Sequence, residues 1–222
     1  MSEATKAKEM DMLNGKLAGK LILFAIPLAF SSILQQLFNS ADVAVVGRFA
    51  GNNALAAVGS CVALVGIFVN LIVGLAVGPN AALANLIGQN KREKISGMLH
   101  TILTFGAVLG IVLMGVGMLT ARTVLEASGT PESVMADALL YIRIYFLGLP
   151  FMVIYNFGAA ILRSYGDTRR PLYYLIISGT LNVILNLLLV IEFHLGVAGV
   201  AIATTISNMV STVMVISCLH RK

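Results

Sequence analysis

The most regular feature of the chain is a series of apolar stretches separated by short polar segments. Each stretch is close to or longer than the roughly 20 residues that an α-helix needs to cross about 30 Å of hydrocarbon. We therefore predict an all-α integral membrane bundle of six transmembrane helices in a single domain over residues 21–222, preceded by a cytoplasmic lead-in at 1–20. The predicted spans are 21–46, 54–88, 95–121, 139–162, 171–191 and 196–219.

Composition supports a membrane protein and excludes a soluble one. Hydrophobic residues make up 58% of the chain and charged residues only 11%, whereas a soluble domain carries about a quarter charged residues. The net charge is +5, but the basic residues form short clusters between apolar runs. Because no long basic face interleaved with aromatics is present, nucleic acid is not an expected partner, and the lipid bilayer is.

The distribution of Lys and Arg predicts the orientation of the six spans, because these residues favour the cytoplasmic side of short loops. With six spans, only Arg48 and Arg122 fall clearly outside, and the loop from Arg122 to Asp137 is acidic. We therefore expect both termini to be cytoplasmic and the chain to be a multi-pass protein of the cytoplasmic membrane. The inside residues are Lys6, Lys8, Lys16, Lys20, Lys91, Arg92, Lys94, Arg163, Arg169, Arg170, Arg221 and Lys222.

Enzyme chemistry is not expected from this sequence. The glycine-rich patches, such as 106–117, lie inside apolar stretches and lack the Lys of a phosphate-binding loop. Neither a Ser-His-Asp nor a Cys-His nor a paired-carboxylate arrangement is present, and three scattered His give no metal-ligand spacing. We expect no cofactor.

Asp42, near the outer end of the first span, is the sharpest candidate for function, because an ionised carboxylate is costly inside a membrane. It continues a polar stripe with Ser31 or Ser32, Gln35 and Asn39 at three- and four-residue steps, which places them on one helix face. The alternatives are that Asp42 is solvated at the helix end or caps the next segment, and that the stripe makes hydrogen bonds between helices.

Two later spans carry similar stripes of neutral oxygen-bearing side chains. The fifth has Ser178, Asn182 and Asn186, and the sixth has Thr204, Asn208 and Ser211. Taken alone, each stripe is typical of hydrogen bonding between helices. Three such stripes around one carboxylate favour a polar cavity, where neutral oxygens could complete the shell of a hard cation or accept from a protonated Asp42.

A kink is expected in the first span. Pro27 lacks a backbone N–H, so the carbonyl of Leu23 loses its helical partner. We hypothesise that this helix bends near Pro27 when the Asp42 pocket binds a proton or cation.

Several segments together resemble the amino-terminal lobe of the multidrug and toxic compound extrusion (MATE) family, in particular its DinF-like branch. The resemblance covers nearly the whole chain, and the last segment is the most specific. The segments are Phe24 to Pro27 with Gln35-Gln36-Leu37 and Asp42, Val46 to Gly51 with Ala54 to Gly59, Ile87 to Asn90, Tyr141 to Arg143 with Gly148 to Phe151, and Leu162 to Pro171.

The resemblance implies a secondary transporter, which exports drugs or other organic, often cationic compounds by antiport with Na⁺ or H⁺. That branch places a cation or proton site on a first-helix Asp, an Asn and an Asp one turn apart on the fifth helix, and a Thr on the sixth. Asp42, Asn182 and Thr204 match these positions, while Asn186 stands where the second Asp is expected. The only metal implied is therefore a possible Na⁺ at Asp42.

The same resemblance implies a small organic substrate in a cavity with Gln35, Phe38, Asn39 and Asn156, and a second six-helix lobe as partner. That lobe could be another copy of this chain or a separate chain, because alternating access in such transporters rocks one lobe against the other. Two alternatives stay open: a flippase for lipid-linked precursors, which a cavity rich in Arg and Lys would favour, and a truncated fragment that does not transport.

Overall fold

The computed structural model describes residues 17–89 and 91–220. The predicted lead-in therefore lies largely outside the described residues. All the regular structure within these residues is helical. Two π-helical turns, Val46–Ala50 and Leu188–Glu192, follow the first and sixth helices. The α-helices are α1 Leu17–Val45, α2 Asn52–Gly88, α3 Arg92–Ala127, α4 Glu132–Leu147, α5 Leu149–Ser164, α6 Arg169–Leu187 and α7 Gly196–His220.

Five of the described helices are long and apolar enough to cross a membrane by themselves, and α4 with α5 provides a sixth span. This result confirms the prediction of an all-α membrane bundle. The fourth span differs in detail from the predicted 139–162, because it begins at Glu132 and bends by 44° between α4 and α5. Pro150 lies in the first turn of α5, where it cannot donate a hydrogen bond back to α4.

Helix α5, which with α4 is one of the two shortest helices, lies at the centre of the bundle. It packs against α2, α3 and α7, and most of its side chains are buried. Hydrogen bonds also connect this region to α7: Thr205 donates to the carbonyl of Ile144 at 3.2 Å, and Thr212 donates to that of Phe151 at 2.6 Å. The bent pair α4–α5 thus provides a fixed wall behind α7.

By contrast, α1 is attached mainly through α6. Many of its apolar side chains are exposed; Ile26 and Leu37, for example, are each 58% exposed. Only a small part of α1 therefore contributes to the core, and the helix forms one edge of the lobe.

The connection from α5 to α6 sets the position of the polar stripe on α6. Gly166 has a φ of +79°, a left-handed conformation that residues with a Cβ rarely adopt. The buried carboxylate of Asp167 then accepts a hydrogen bond from the backbone N–H of Arg170 at 3.1 Å, which caps the first turn of α6. The Tyr155 hydroxyl donates to the carbonyl of Pro171 at 3.1 Å and holds α6 against α5.

Candidate functional site

A cavity of about 790 Å³ is lined by residues of α1, α2, α6 and α7 and by residues of α4 and α5. Its wall combines the amide and hydroxyl side chains of the predicted stripes with aromatic rings. The sequence-predicted residues in the wall are Gln35, Phe38, Asn39, Asp42, Asn156, Asn182 and Thr204.

Four side chains from α1, α6 and α7 form a closed ring of polar contacts at one side of this cavity. The Asn186 Nδ2 group donates hydrogen bonds to Oδ1 of Asp42 and, at 3.2 Å, to Oδ1 of Asn182. Asn182 Nδ2 then donates to Oγ1 of Thr204 at 3.2 Å, and that hydroxyl lies 3.4 Å from Oδ2 of Asp42. The structure therefore brings together all four residues predicted for the cation or proton site.

The ring is buried unevenly. Asp42 and Thr204 are half-buried and line the cavity. Asn182 also lines the cavity, although only 5% of its surface is exposed. Asn186 is fully buried behind them and is not part of the cavity wall. A bound molecule could touch Asp42 directly, whereas Asn186 acts only through the residues that it holds.

The hydroxyl of Thr204 has two acceptors within reach. It lies 3.0 Å from the carbonyl of Val200, one helical turn earlier, and 3.4 Å from Oδ2 of Asp42. A hydroxyl has one proton to donate and can also accept. It can therefore donate to an ionised Asp42, or turn towards Val200 and accept from a protonated one, so the ring fits both forms of the carboxyl group.

Asp42 is the only charged side chain in the wall of the cavity within the described part of the chain. Two phenol side chains, Tyr141 and Tyr145 of α4, also line the cavity and stack on each other with ring centroids 6.2 Å apart. Aromatic faces attract cations, and a single carboxylate favours a ligand of single positive charge. This arrangement can bind an organic cation.

Tyr141 and Tyr145 are not among the cavity residues predicted from the sequence. Their four-residue spacing places both on one face of α4, which is the signal that could have revealed them. Within an apolar stretch, however, a tyrosine is also typical of a packed core residue. A core tyrosine and a cavity tyrosine differ only in whether packed side chains or open space face the phenol.

The α1 residues divide between the cavity and local contacts. Gln35 and Asn39 are exposed in the cavity wall, and the ring of Phe38 packs on Gly179 of α6, where a Cβ would overlap it. Ser31 donates to the carbonyl of Pro27 at 2.8 Å. Helix α1 continues through Pro27, so the bending motion stays a prediction.

The remaining predicted residues also reach this region. Ser32, Ser178, Asn208 and Ser211 line the cavity, so all three stripes contribute to the same cavity wall, with Asn186 behind it. The Nδ2 group of Asn156 donates to the carbonyl of Met152, in the preceding turn of α5, at 2.8 Å. No group of three or more His, Cys, Asp or Glu side chains is arranged to hold a metal ion within residues 17–89 and 91–220.

Helices that span a membrane and surround a polar cavity define the class of this protein as a multi-pass helical membrane protein. The MatE family model matches residues 27–188, and the chain belongs to that family. Among solved structures, it superimposes on "Crystal structure of MATE in the bent conformation" with a TM-score of 0.87 and 26% sequence identity. That match covers 92% of this chain and 46% of the solved one.

Curated relatives agree with this family. The chain is 33% identical over 204 residues to the probable multidrug resistance protein YoeA of Bacillus subtilis, covering 90% of this chain and 44% of the relative. It is 21% identical over 199 residues to the multidrug export protein MepA of Staphylococcus saprophyticus, covering 90% of this chain and 44% of the relative. The chain thus spans less than half the length of these relatives.

Proposed function

We propose that this chain is one lobe of a MATE-type secondary transporter that exports organic cations across the cytoplasmic membrane. The observation that carries the proposal is a membrane-embedded cavity whose one charged wall residue is Asp42 among the residues described. Tyr141 and Tyr145 add aromatic surface to the same wall. A flat, apolar cation gains from both features, and transporters of this architecture bind substrates between their helices near the centre of the membrane.

Coupling is assigned to the ring around Asp42. A carboxylate in a low-dielectric cavity needs a positive charge to compensate it, and an organic cation or a coupling ion, H⁺ or Na⁺, can supply that charge. Because the two compete for one negative charge, binding of the coupling ion would release the organic cation. Asn182, Asn186 and Thr204 hold the carboxylate in place for this exchange.

A second six-helix lobe is the expected partner, either another copy of this chain or a separate chain. Gln35, Gln36 and Asn39 are exposed on α1 within a membrane-spanning segment. Against lipid, their amides would lack hydrogen-bond partners, which costs roughly several kcal/mol for each group. A facing lobe would enclose them in a water-filled or protein-lined cavity, and it would give this lobe a surface to move against.

The two alternatives differ in what they require of the cavity. A flippase for anionic lipid-linked precursors requires basic side chains, and the described cavity wall contains neither Arg nor Lys. A fragment that does not transport requires nothing of the cavity, and the accumulation experiment below distinguishes it. The geometry therefore favours export of cations over the flippase.

Ethidium accumulation tests the proposal. In efflux-deficient bacteria, cells expressing the chain should accumulate less ethidium than cells with the empty vector, because the cavity exports this cation. If a separate lobe is needed, the difference should appear only when that lobe is co-expressed. Accumulation equal to the vector under both conditions, with the protein present in the membrane, would contradict the proposed transport.

A further inference from the structure

The direction of the hydrogen bonds in the four-residue ring restricts which ion it can hold. Both N–H groups of Asn186 are used, one towards Oδ1 of Asp42 and the other towards Oδ1 of Asn182. An ionised Asp42 can only accept, and Asn182 presents its Oδ1 because its Nδ2 donates to Thr204, so the amide nitrogen of Asn186 faces both oxygens. The two amide hydrogens of Asn186, which carry partial positive charge, therefore occupy the corner between Oδ1 of Asp42 and Oδ1 of Asn182.

Sodium needs the opposite arrangement. A hard cation is held by several oxygen atoms that converge on it. At the corner between Asp42 and Asn182, an entering Na⁺ would meet the two hydrogens of Asn186. Turning that amide over would supply a third oxygen, but it would break both hydrogen bonds in a fully buried position. At this corner, the donor set as folded thus does not fit Na⁺.

The surroundings of the Asn186 oxygen are consistent with this orientation of the amide. Its Oδ1 is buried and has no hydrogen-bond partner within the part of the chain that the structure describes. Turning the amide over would place this oxygen against Oδ1 of Asp42 and Oδ1 of Asn182, so one unpaired acceptor is the smaller cost. The two hydrogen bonds to Asp42 and Asn182 therefore decide the orientation.

We propose that Asn186 closes the Asp42 site to Na⁺ and is the residue that determines ion selectivity in this lobe. The inference rests on the proposed function, since it concerns the same coupling site. Asn186 does not line the cavity, so it acts by positioning Asp42 and Asn182 rather than by touching the substrate.

The Asn186→Asp variant tests the proposal because it replaces the N–H groups by an oxygen in a side chain of the same shape. Two carboxylates would then face each other at the corner, and a cation between them would relieve their repulsion. Ligands that bind only the folded state raise its stability. We expect the variant to show a saturable, Na⁺-dependent rise in melting temperature, and the unmodified chain to show none.

The measurement uses the full chain in lipid nanodiscs, with helix melting followed by circular dichroism. Sodium chloride is compared with choline chloride at equal ionic strength, and binding of radiolabelled Na⁺ is measured in parallel. Asn208→Asp is the matched control, because Asn208 lines the cavity but lies outside the ring. It also adds one negative charge, but in the cavity wall and outside the ring, and it should not create Na⁺ binding.

Either of two results would overturn the proposal. One is saturable Na⁺ binding by the unmodified chain that Asp42→Asn removes, and this comparison is decisive even if Asn186→Asp does not fold. The other is a folded Asn186→Asp variant that binds no more Na⁺ than the unmodified chain. Neither readout depends on transport. A chain that fails to export ethidium but shows the expected Na⁺ pattern would contradict the proposed function alone.

Discussion

Replacing Asp42 by Asn is expected to reduce ethidium export to the level of the empty vector. The substitution removes the only charge in the described cavity wall while keeping the shape of the side chain. An amide at position 42 can still accept from Asn186 through its oxygen and donate to Thr204 through its nitrogen. The ring and the fold should therefore survive, and the lost activity would report the lost charge.

Ethidium accumulation at equal membrane abundance measures this loss. Glu192→Gln is the matched control, because it removes one negative charge from an exposed position outside the cavity wall. The control variant should export as the unmodified chain does. If Asp42→Asn exports ethidium as well as Glu192→Gln, the carboxylate has no role in transport and the coupling proposed at this ring is wrong.

Gly110→Ala is expected to cause a large loss of stability, about 3 kcal/mol in the free energy of unfolding, near the upper end for overpacking. A Cβ on Gly110 of α3 would lie 2.6 Å from the Cα of Pro150, at the start of α5. Backbone atoms cannot turn aside as a flexible side chain does, so α3 and α5 would have to separate. Because α5 is central, this change would also disturb the cavity.

The same helix provides the control for this prediction. Gly115 lies in α3, and a Cβ there would meet no atom within 4 Å. Gly115→Ala should unfold like the unmodified chain, or slightly later because Ala favours helix. Denaturant titrations of both purified variants, followed by circular dichroism, make the comparison. Equal unfolding curves for the two variants would show that the contact between α3 and α5 is not tight.

Much of the architecture could be predicted from hydrophobic length and polar periodicity. The three stripes converge because a membrane helix can place amides and carboxylates only towards protein or water. Asp42, Asn182 and Thr204 therefore had to face one another once their helices packed together. The contact of Asp42 with Asn186, 144 positions apart in sequence, follows from the same rule.

Other features depend on packing that one sequence does not reveal. The break at Gly148 arises where Pro150 enters the first turn of α5, but a proline near a helix end is equally compatible with a simple boundary. The orientation of the Asn186 amide depends on which atoms surround it. Its position behind the wall of the cavity, unlike that of Asn182, also follows only from the packed helices.

Binding of an organic cation through Asp42 can be measured by fluorescence titration of ethidium against the purified chain at several pH values. Ethidium keeps its charge at every pH, whereas Asp42 loses its charge when protonated. Binding to the unmodified chain should therefore weaken as the pH falls. Asp42→Asn should bind about tenfold or more weakly at high pH, a difference of about 1.4 kcal/mol, with no dependence on pH. Equal affinity of the two proteins at every pH would show that Asp42 does not bind the cation.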